Sequence, residues 1–471
     1  MAAPNLNLAH YQDVLGQLPR LKTYTHILLG FALSDDQTPN DCISALETSA
    51  RALVDAFPWL ACQVVHEDGG AGDSGRFRLA HCAQFAAPNS IVRVKDCTDV
   101  CPTYHEILNA RGPVSMLDGR ILGPVPAFPQ IYADAELHPA PVFTMQVNLV
   151  RGGVLVDAAA QHNFIDGGGL LRLLELLAQS MRGGSFSPEA LQHGNRDRSR
   201  LITLLHGHEP ILDHSHLLRE PLEAVAAGTR MQPPPSRQQQ HPPQGVENWA
   251  FVRFPAHQVA ALKSRANNDI ADTKGGAFVS TNDALSAFIW QRLAAVRLDR
   301  RQTPDDFSKF SRALDARRAL GIPRDYLGQM GYNATCRLTF GQLREMTLGE
   351  LALFMRRAVE KVNNEYSARS WATFVAREKD KSRIMFGGSF DPDTDVGLSS
   401  LIHASVQGVA FGVLGRPDFV RRPRFAPLRS CVYLWTATAE GDVDALLCLN
   451  GVDWDALRDD AEWSGHTEYI G

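Results

Sequence analysis

The chain has 471 residues, 44% of them hydrophobic and 21% charged, ordinary values for a globular protein long enough to build two cores. A net charge of −5 argues against a nucleic-acid surface, no uncharged apolar run reaches membrane-spanning length, and the opening Met1–Leu6 lacks the basic-then-apolar pattern of a secretory signal. Eight cysteines, scattered and without a Cys-x-x-Cys pair, read as reduced thiols in a cytoplasmic compartment, and no metal site is expected of them.

Residues 1–190 alternate strand-like and helical segments. Within them Val154–Ala160 is an apolar run of strand length. Leu170, Leu171, Leu173, Leu174, Leu176 and Leu177 then mark one broad helical face. Residues 191–246 lose this periodicity, contain Pro233–Pro235 and Gln238–Gln240, and read as a surface crossover with a disordered centre. Its histidines at 206, 208, 214 and 216 lack the partners of a zinc site and read as a solvated face. The pattern resumes in 247–471 with a strand at Phe251–Phe254, a helix over Ala256–Ala266, and a further helix over Ser280–Arg297. Ser280 and Asp283 form a capping-box pattern at the start of that helix.

Gln161-His162-Asn163-Phe164-Ile165-Asp166-Gly167-Gly168-Gly169 lies between the buried strand and the leucine helix. Three glycines in a first helical turn cost roughly 1 kcal/mol each relative to alanine, which a chain tolerates where the backbone must approach something closely. The position offers His162 to a substrate, while Asp166 suits an N-cap of the helix that follows.

His-x-x-x-Asp-Gly at 162–167 resembles the active-site motif of the BAHD acyl-CoA-dependent acyltransferases, and also that of condensation domains in peptide synthetases. Other segments are similar to BAHD signatures in the right order: Leu18-Pro19-Arg20 with Thr25–Phe31, Ala45–Pro58 with Trp59-Leu60-Ala61-Cys62, and Ser280–Trp290. Further on come Leu314–Arg318 with Tyr326-Leu327-Gly328, and Phe411–Pro417. Cys62 stands where the family has glycine, Gln329 where it has asparagine, and Ala410 where its late loop has aspartate, in a loop one residue longer. The chain is identified on these residues as BAHD-like, in the fungal secondary-metabolism, trichothecene O-acetyltransferase-like branch.

The resemblance implies an α/β fold of two similar chloramphenicol-acetyltransferase-like domains, at 1–190 and 247–471, with a solvent channel between them. It implies transfer of an acyl group, acetyl first, from acyl-CoA as co-substrate to a hydroxyl or amine of a small molecule. No permanently bound cofactor, membrane or nucleic acid is involved, and the expected state is a monomer. His162 is then the general base, Asp166 a structural support and Arg317 its partner. Thr281, Asn282, Ser399 and Ser400 are candidates for the donor side, and the basic run Arg416–Arg429 a candidate for coenzyme A phosphates. Ala410 puts the usual loop ion pair in doubt. Two alternatives stand beside this reading: a condensation-type enzyme with a carrier-protein donor, against which Gln161 replaces the second histidine usual there, and a binding protein without catalysis.

Overall fold

The computed structural model describes residues 7–34, 37–128, 139–219, 246–272, 276–301, 303–404 and 406–471. The poly-proline and poly-glutamine part of the crossover lies outside these residues, as does Met1–Leu6.

The apolar run before the motif forms the middle of a five-stranded sheet. In chain order the strands are β1 (Tyr24–Ala32), β2 (Cys62–Gly70), β3 (Asp73–His81), β4 (Val92–Asp96), β5 (Phe143–Val150) and β6 (Gly153–Gln161). They continue with β7 (Asn248–Phe254), β8 (Phe307–Asp315), β9 (Gly331–Thr339), β10 (Val396–Ser400), β11 (Phe419–Arg421), β12 (Cys431–Ala437), β13 (Val443–Leu449) and β14 (Glu468–Tyr469). The first sheet has the order β11-β1-β6-β5-β4. Its β5–β6 hairpin closes at Gly152, whose φ of 83° is the left-handed conformation glycine adopts without a Cβ penalty. All nine residues of β6 are buried because both faces of the sheet are covered. On one side the helices Pro39–Ala56 and Gly167–Met181 pack on Ile27, Leu29, Val156 and Ala158. On the other, Tyr104, Leu117 and Phe419 pack on Leu28 and Leu155.

The second sheet has the order β14-β7-β13-β12-β10-β8-β9 and is mixed, with β10 parallel to both β12 and β8. Helices Ala256–Asp269, Thr281–Arg301 and Leu348–Val362 cover it. The expected capping box is formed: Ser280 Oγ accepts from Asp283 N (3.2 Å), and the Asp283 carboxylate accepts from Ser280 N (2.9 Å). The two halves interlock, since β11, from the C-terminal half, pairs antiparallel with β1. A third core joins Leu15 and Leu18, Ile202 of the crossover, and Tyr326, Met330 and Trp371, directly under the histidine motif.

The first part of the crossover differs from the expected loose surface segment. Arg198 is 2% exposed and stacks over Trp59 at 4.3 Å, with Nη1 donating to the Phe164 carbonyl (2.9 Å). Leu205 N and Leu212 N donate to Thr373 and Ser370 on the helix Glu365–Arg377. His214, half-buried, packs on Trp371 and Phe374, whereas His206, His208 and His216 are exposed as expected. Non-periodic sequence concealed this packing because its anchors are long-range side chains rather than a helical or strand stripe.

Among the described residues no helix is long and apolar enough to cross a membrane, and all eight cysteines are free.

Candidate active site

His162 follows the last residue of β6, and its main-chain N–H donates to Thr23 O (2.9 Å), which fixes the loop against the start of β1. Asn163 is buried; its Nδ2 donates to Leu18 O (3.0 Å) and its Oδ1 accepts from Gln161 Nε2 (2.7 Å). The floor of the loop is thus held by amide bonds, while His162 itself is only partly buried. Desolvation lowers the pKa of His162 below the ordinary imidazole value, against the opposing pull of its own main-chain carbonyl and the Asp166 charge.

Asp166 does not touch the ring. Its Oδ1 caps the glycine helix through Gly169 N (2.7 Å), and its two oxygens take a fork from Arg317: Nη1 to Oδ2 at 2.8 Å, Nη2 to Oδ1 at 2.9 Å. Met330 N adds a further donor at 2.9 Å. Burial, the largest influence, pushes the Asp166 carboxyl up, but Arg317 and the two amides outweigh it and the net shift is downward. Arg317 also donates to the carbonyls of Tyr326 (3.0 Å) and Gly328 (2.8 Å). The pair therefore ties the histidine loop of one half to the turn after β8 in the other.

That turn carries a residue that sequence reasoning registered only as a departure. Gln329, 1% exposed, reaches His162 from below, with Nε2 3.1 Å from ring Nδ1 and 3.3 Å from the His162 carbonyl. Asp13 and Arg198 also went unnoticed. Burial pushes the Asp13 carboxyl up to about 6 although Arg198 lies 4.0 Å away, and Asp13 holds Gly16 N (2.6 Å). No local pattern could have linked residues at positions 13, 198 and 329.

The glycines now have separate reasons. A Cβ on Gly169 would lie 2.3 Å from the Leu327 carbonyl, inside the Arg317-held turn, whereas one on Gly168 would make ordinary contacts beyond 3.4 Å. Gly169→Ala is expected to cost about 1–3 kcal/mol through overpacking. Gly168→Ala should be neutral or stabilising by up to about 1 kcal/mol. Urea denaturation of the two variants checks the contrast.

The remaining candidates separate. Leu401, just past Ser399 and Ser400, packs toward Gly167, so the end of β10 approaches the motif. Thr281 and Asn282 open the helix on the far side of Asp283, which is held by Arg312 (2.7 Å) and Arg356 (3.1 Å); Asn282 is buried and its Oδ1 accepts from Ser286 (3.4 Å). Four arginines of the basic run are engaged within the protein, while Arg416 is exposed. Arg421 is buried against Asp444 (2.8 Å), Arg422 is buried among Trp249, Phe425 and Tyr433, Arg424 meets Asp118 (3.4 Å), and Arg429 pairs with Asp393. At the altered loop the Ala410 carbonyl accepts from Arg182, and Asp418 accepts from Tyr104 Oη (2.6 Å) and Ala32 N (3.1 Å). A cavity of about 650 Å³ opens along β9, lined by His214, Tyr332, Lys361, Trp371 and Phe386, three residues on from Gln329; His162 is not among its lining residues.

Two interlocked mixed sheets with a part-exposed histidine where the halves meet are compatible with an acyltransferase, and comparison with known proteins agrees. A trichothecene 3-O-acetyltransferase-like N-terminal domain matches residues 23–180, and the Transferase family matches residues 127–463. O-acyltransferase pigD of Monascus ruber is 47% identical over 98% of this chain and 99% of its own length. O-acetyltransferase epaC of Aspergillus niger is 43% identical, over 99% and 98%. The crystal structure of F. graminearum TRI101 complexed with coenzyme A and deoxynivalenol is 30% identical, covers 98% of this chain and 99% of its own, and superposes with a TM-score of 0.86. The chain belongs to the Transferase family, the BAHD-type acyl-CoA-dependent acyltransferases.

Proposed function

We propose that this enzyme transfers an acyl group, acetyl first, from acyl-CoA to a hydroxyl of a fungal secondary metabolite, with His162 as general base in a direct ternary-complex reaction. The observation that carries the reading is the partly buried His162 at the end of a fully buried strand, on a loop fixed by the Asp166–Arg317 fork. A thioester is already activated, so the chemical difficulty lies with the neutral hydroxyl, whose proton must leave as its oxygen bonds to the carbonyl carbon. Nε2, the nitrogen not engaged by Gln329, takes that proton. The imidazolium then returns it to the departing thiolate. The names of the relatives, O-acyltransferase and O-acetyltransferase, favour a hydroxyl over an amine, and TRI101 with coenzyme A favours a free coenzyme A donor over a carrier protein.

Ser399 and Ser400 at the end of β10, and Thr281 at its helix start, are proposed to face the donor; Asn282, turned to Ser286, is the weakest of that set. The division into domains at 1–190 and 247–471, joined by a crossover at 191–246, is proposed with β11 lent back across it. A cytoplasmic monomer is proposed as the working state; sedimentation and cell fractionation test it.

Thiol release from acetyl-CoA across a panel of phenols, secondary alcohols and amines, with product mass, tests the reaction. Release with amines alone overturns the O-acylation reading. The pH profile gives a second test. His162 must be neutral to accept a proton, and its pKa is depressed by burial, so activity should persist as pH falls past the ordinary imidazole value of about 6.5. An acid limb of kcat/KM at or above that value contradicts the assignment.

A further inference from the structure

The cavity of about 650 Å³ along the edge strand β9 is large enough to enclose a drug-sized molecule. Its walls are apolar and aromatic: Phe354 of the helix Leu348–Val362, Trp371 of the helix Glu365–Arg377, and Met385 and Phe386 of the loop before β10. The charges at its rim are unbalanced. Arg357 and Lys361, one turn apart on the same face of their helix, both line it and are exposed, as is His216. Among the described residues that line it, Asp213 is the one acid, and its carboxylate accepts from Ser215 N (2.8 Å). Neither Arg357 nor Lys361 has an ion-pair partner among the described residues, whereas the neighbouring Arg356 is held by Asp283 (3.1 Å) and Glu360 (3.0 Å).

The cavity joins the histidine loop from two directions. Along β9 its lining runs from Asn333 and Tyr332 back through Gly331 to Gln329, whose Nε2 is 3.1 Å from the His162 ring. From the other side Met385 contacts Arg20, which shortly precedes Thr23, and the Thr23 carbonyl accepts from His162 N (2.9 Å). Arg20 also lacks a carboxylate partner among the described residues, and its Nε is buried without a hydrogen bond. At the rise of an extended chain, the step from Gln329 to the cavity is on the order of 10 Å.

We propose that this cavity is the acceptor chamber, and that Arg357 and Lys361 select an acceptor whose apolar, ring-bearing body carries an anionic oxygen on the order of 10 Å from the hydroxyl to be acylated. That oxygen belongs to a carboxylate or to an ionised enol or phenol. The apolar walls match the body, and two cations without counter-ions match the charge. The acyl tail of the donor is the rival occupant and fits worse, because a hydrocarbon chain would cover both cations without pairing them. The inference rests on the hydroxyl-acylation reading above and names the class of molecule that reading takes as substrate.

The probe is a naphthoic acid with a hydroxyl at the opposite end of its ring system, beside its methyl ester. Titration of each into protein saturated with coenzyme A reads binding, and thiol release from acetyl-CoA reads turnover. The acid is expected to bind about tenfold more tightly than the ester, the worth of one charge-assisted hydrogen bond. Arg357→Gln/Lys361→Gln should bring the two to near parity through loss of the acid alone, and Lys361→Glu should favour the ester. Both positions are exposed, so the variants are expected to fold, and the KM for acetyl-CoA should not move. Equal binding of acid and ester by the wild type, or binding of neither, overturns the proposal. So does a preference for the acid that survives in the double variant, or a KM for acetyl-CoA that rises in it, which would put the cations on the donor side. Acylation of the ester as readily as the acid leaves the reaction reading intact and removes this inference alone, whereas thiol release with amines only removes the reading beneath it.

Discussion

His162→Ala is expected to lower kcat by about 10²–10⁴-fold, the contribution of a positioned general base, while leaving the fold unchanged. His162 is neutral at rest and its ring neighbour is a carboxamide, so truncation opens no buried charge and leaves no orphaned ion. The loop keeps its shape without the ring, because Thr23 O holds the His162 main chain and Asn163 is bonded to Leu18 O. The buried Gln329 amide loses its ring partner, so unfolding free energy should fall by about 1–3 kcal/mol with the fold retained. Among the described residues, the buried His26 and the half-buried His214 are engaged elsewhere. His26 is wholly buried with Nδ1 on Asp157 (2.7 Å), and His214 packs on Trp371. Thiol release from acetyl-CoA with an identified acceptor, beside a thermal melt, measures both quantities. Near-wild-type turnover in a folded His162→Ala protein sinks the base assignment, and a collapsed melt shows the residue to be structural instead.

The parts of this molecule that depend on local pattern were readable in advance. The strand before the motif, the leucine helix after it, the Asp166 cap and the Ser280–Asp283 box each follow from spacing, and they form at 153–161, 167–181, Gly169 N and 280–283. The fork between Asp166 and Arg317 was reachable only through family resemblance, since 151 residues separate the partners. Gln329 carried a signal, a departure at one position of the family's turn, but its chemistry emerges only when that turn is folded under the ring. Arg198 and Asp13 carried none: a buried arginine in a proline- and histidine-rich crossover looks, in one dimension, like solvated charge. The arginines at 421–429 failed in the same way, because a basic run in sequence becomes separate ion pairs and a ring-caged guanidinium once strand and loop alternate their sides. Pattern reveals elements; it is blind to which distant carboxylate a cation meets.

Asp166→Ala tests that distant contact with the largest expected effect on stability. Asp166 and Arg317 are 6% exposed each, and the carboxylate receives four donors: Gly169 N, Met330 N and both Arg317 nitrogens. Removing it leaves a buried guanidinium with Asp315, whose side chain is about half exposed, as its remaining anion, and such breaks cost roughly 3–5 kcal/mol. The helix also loses its N-cap, worth about 1 kcal/mol of that total. Asp166→Asn keeps one acceptor oxygen and should lose less, and an Asp166→Leu/Arg317→Met double variant should be more stable than either single change, because the buried pair itself adds little net free energy. Activity is expected to divide from stability here. The double variant should fold yet turn over slowly, since nothing then holds the Tyr326–Met330 turn and its Gln329 under His162. The pH sign follows from the depressed Asp166 carboxyl: its stabilisation is present above the ordinary carboxylate pKa and lost as pH falls through the lower folded value, so the wild-type advantage over Asp166→Asn should shrink only in acid below about pH 4. Urea denaturation of the four proteins at neutral and acid pH measures the cycle. Additive single-variant losses in the double variant would mean that the fork does not couple the two halves, and the link from Asp166 to the ring would then have to run through the helix cap alone.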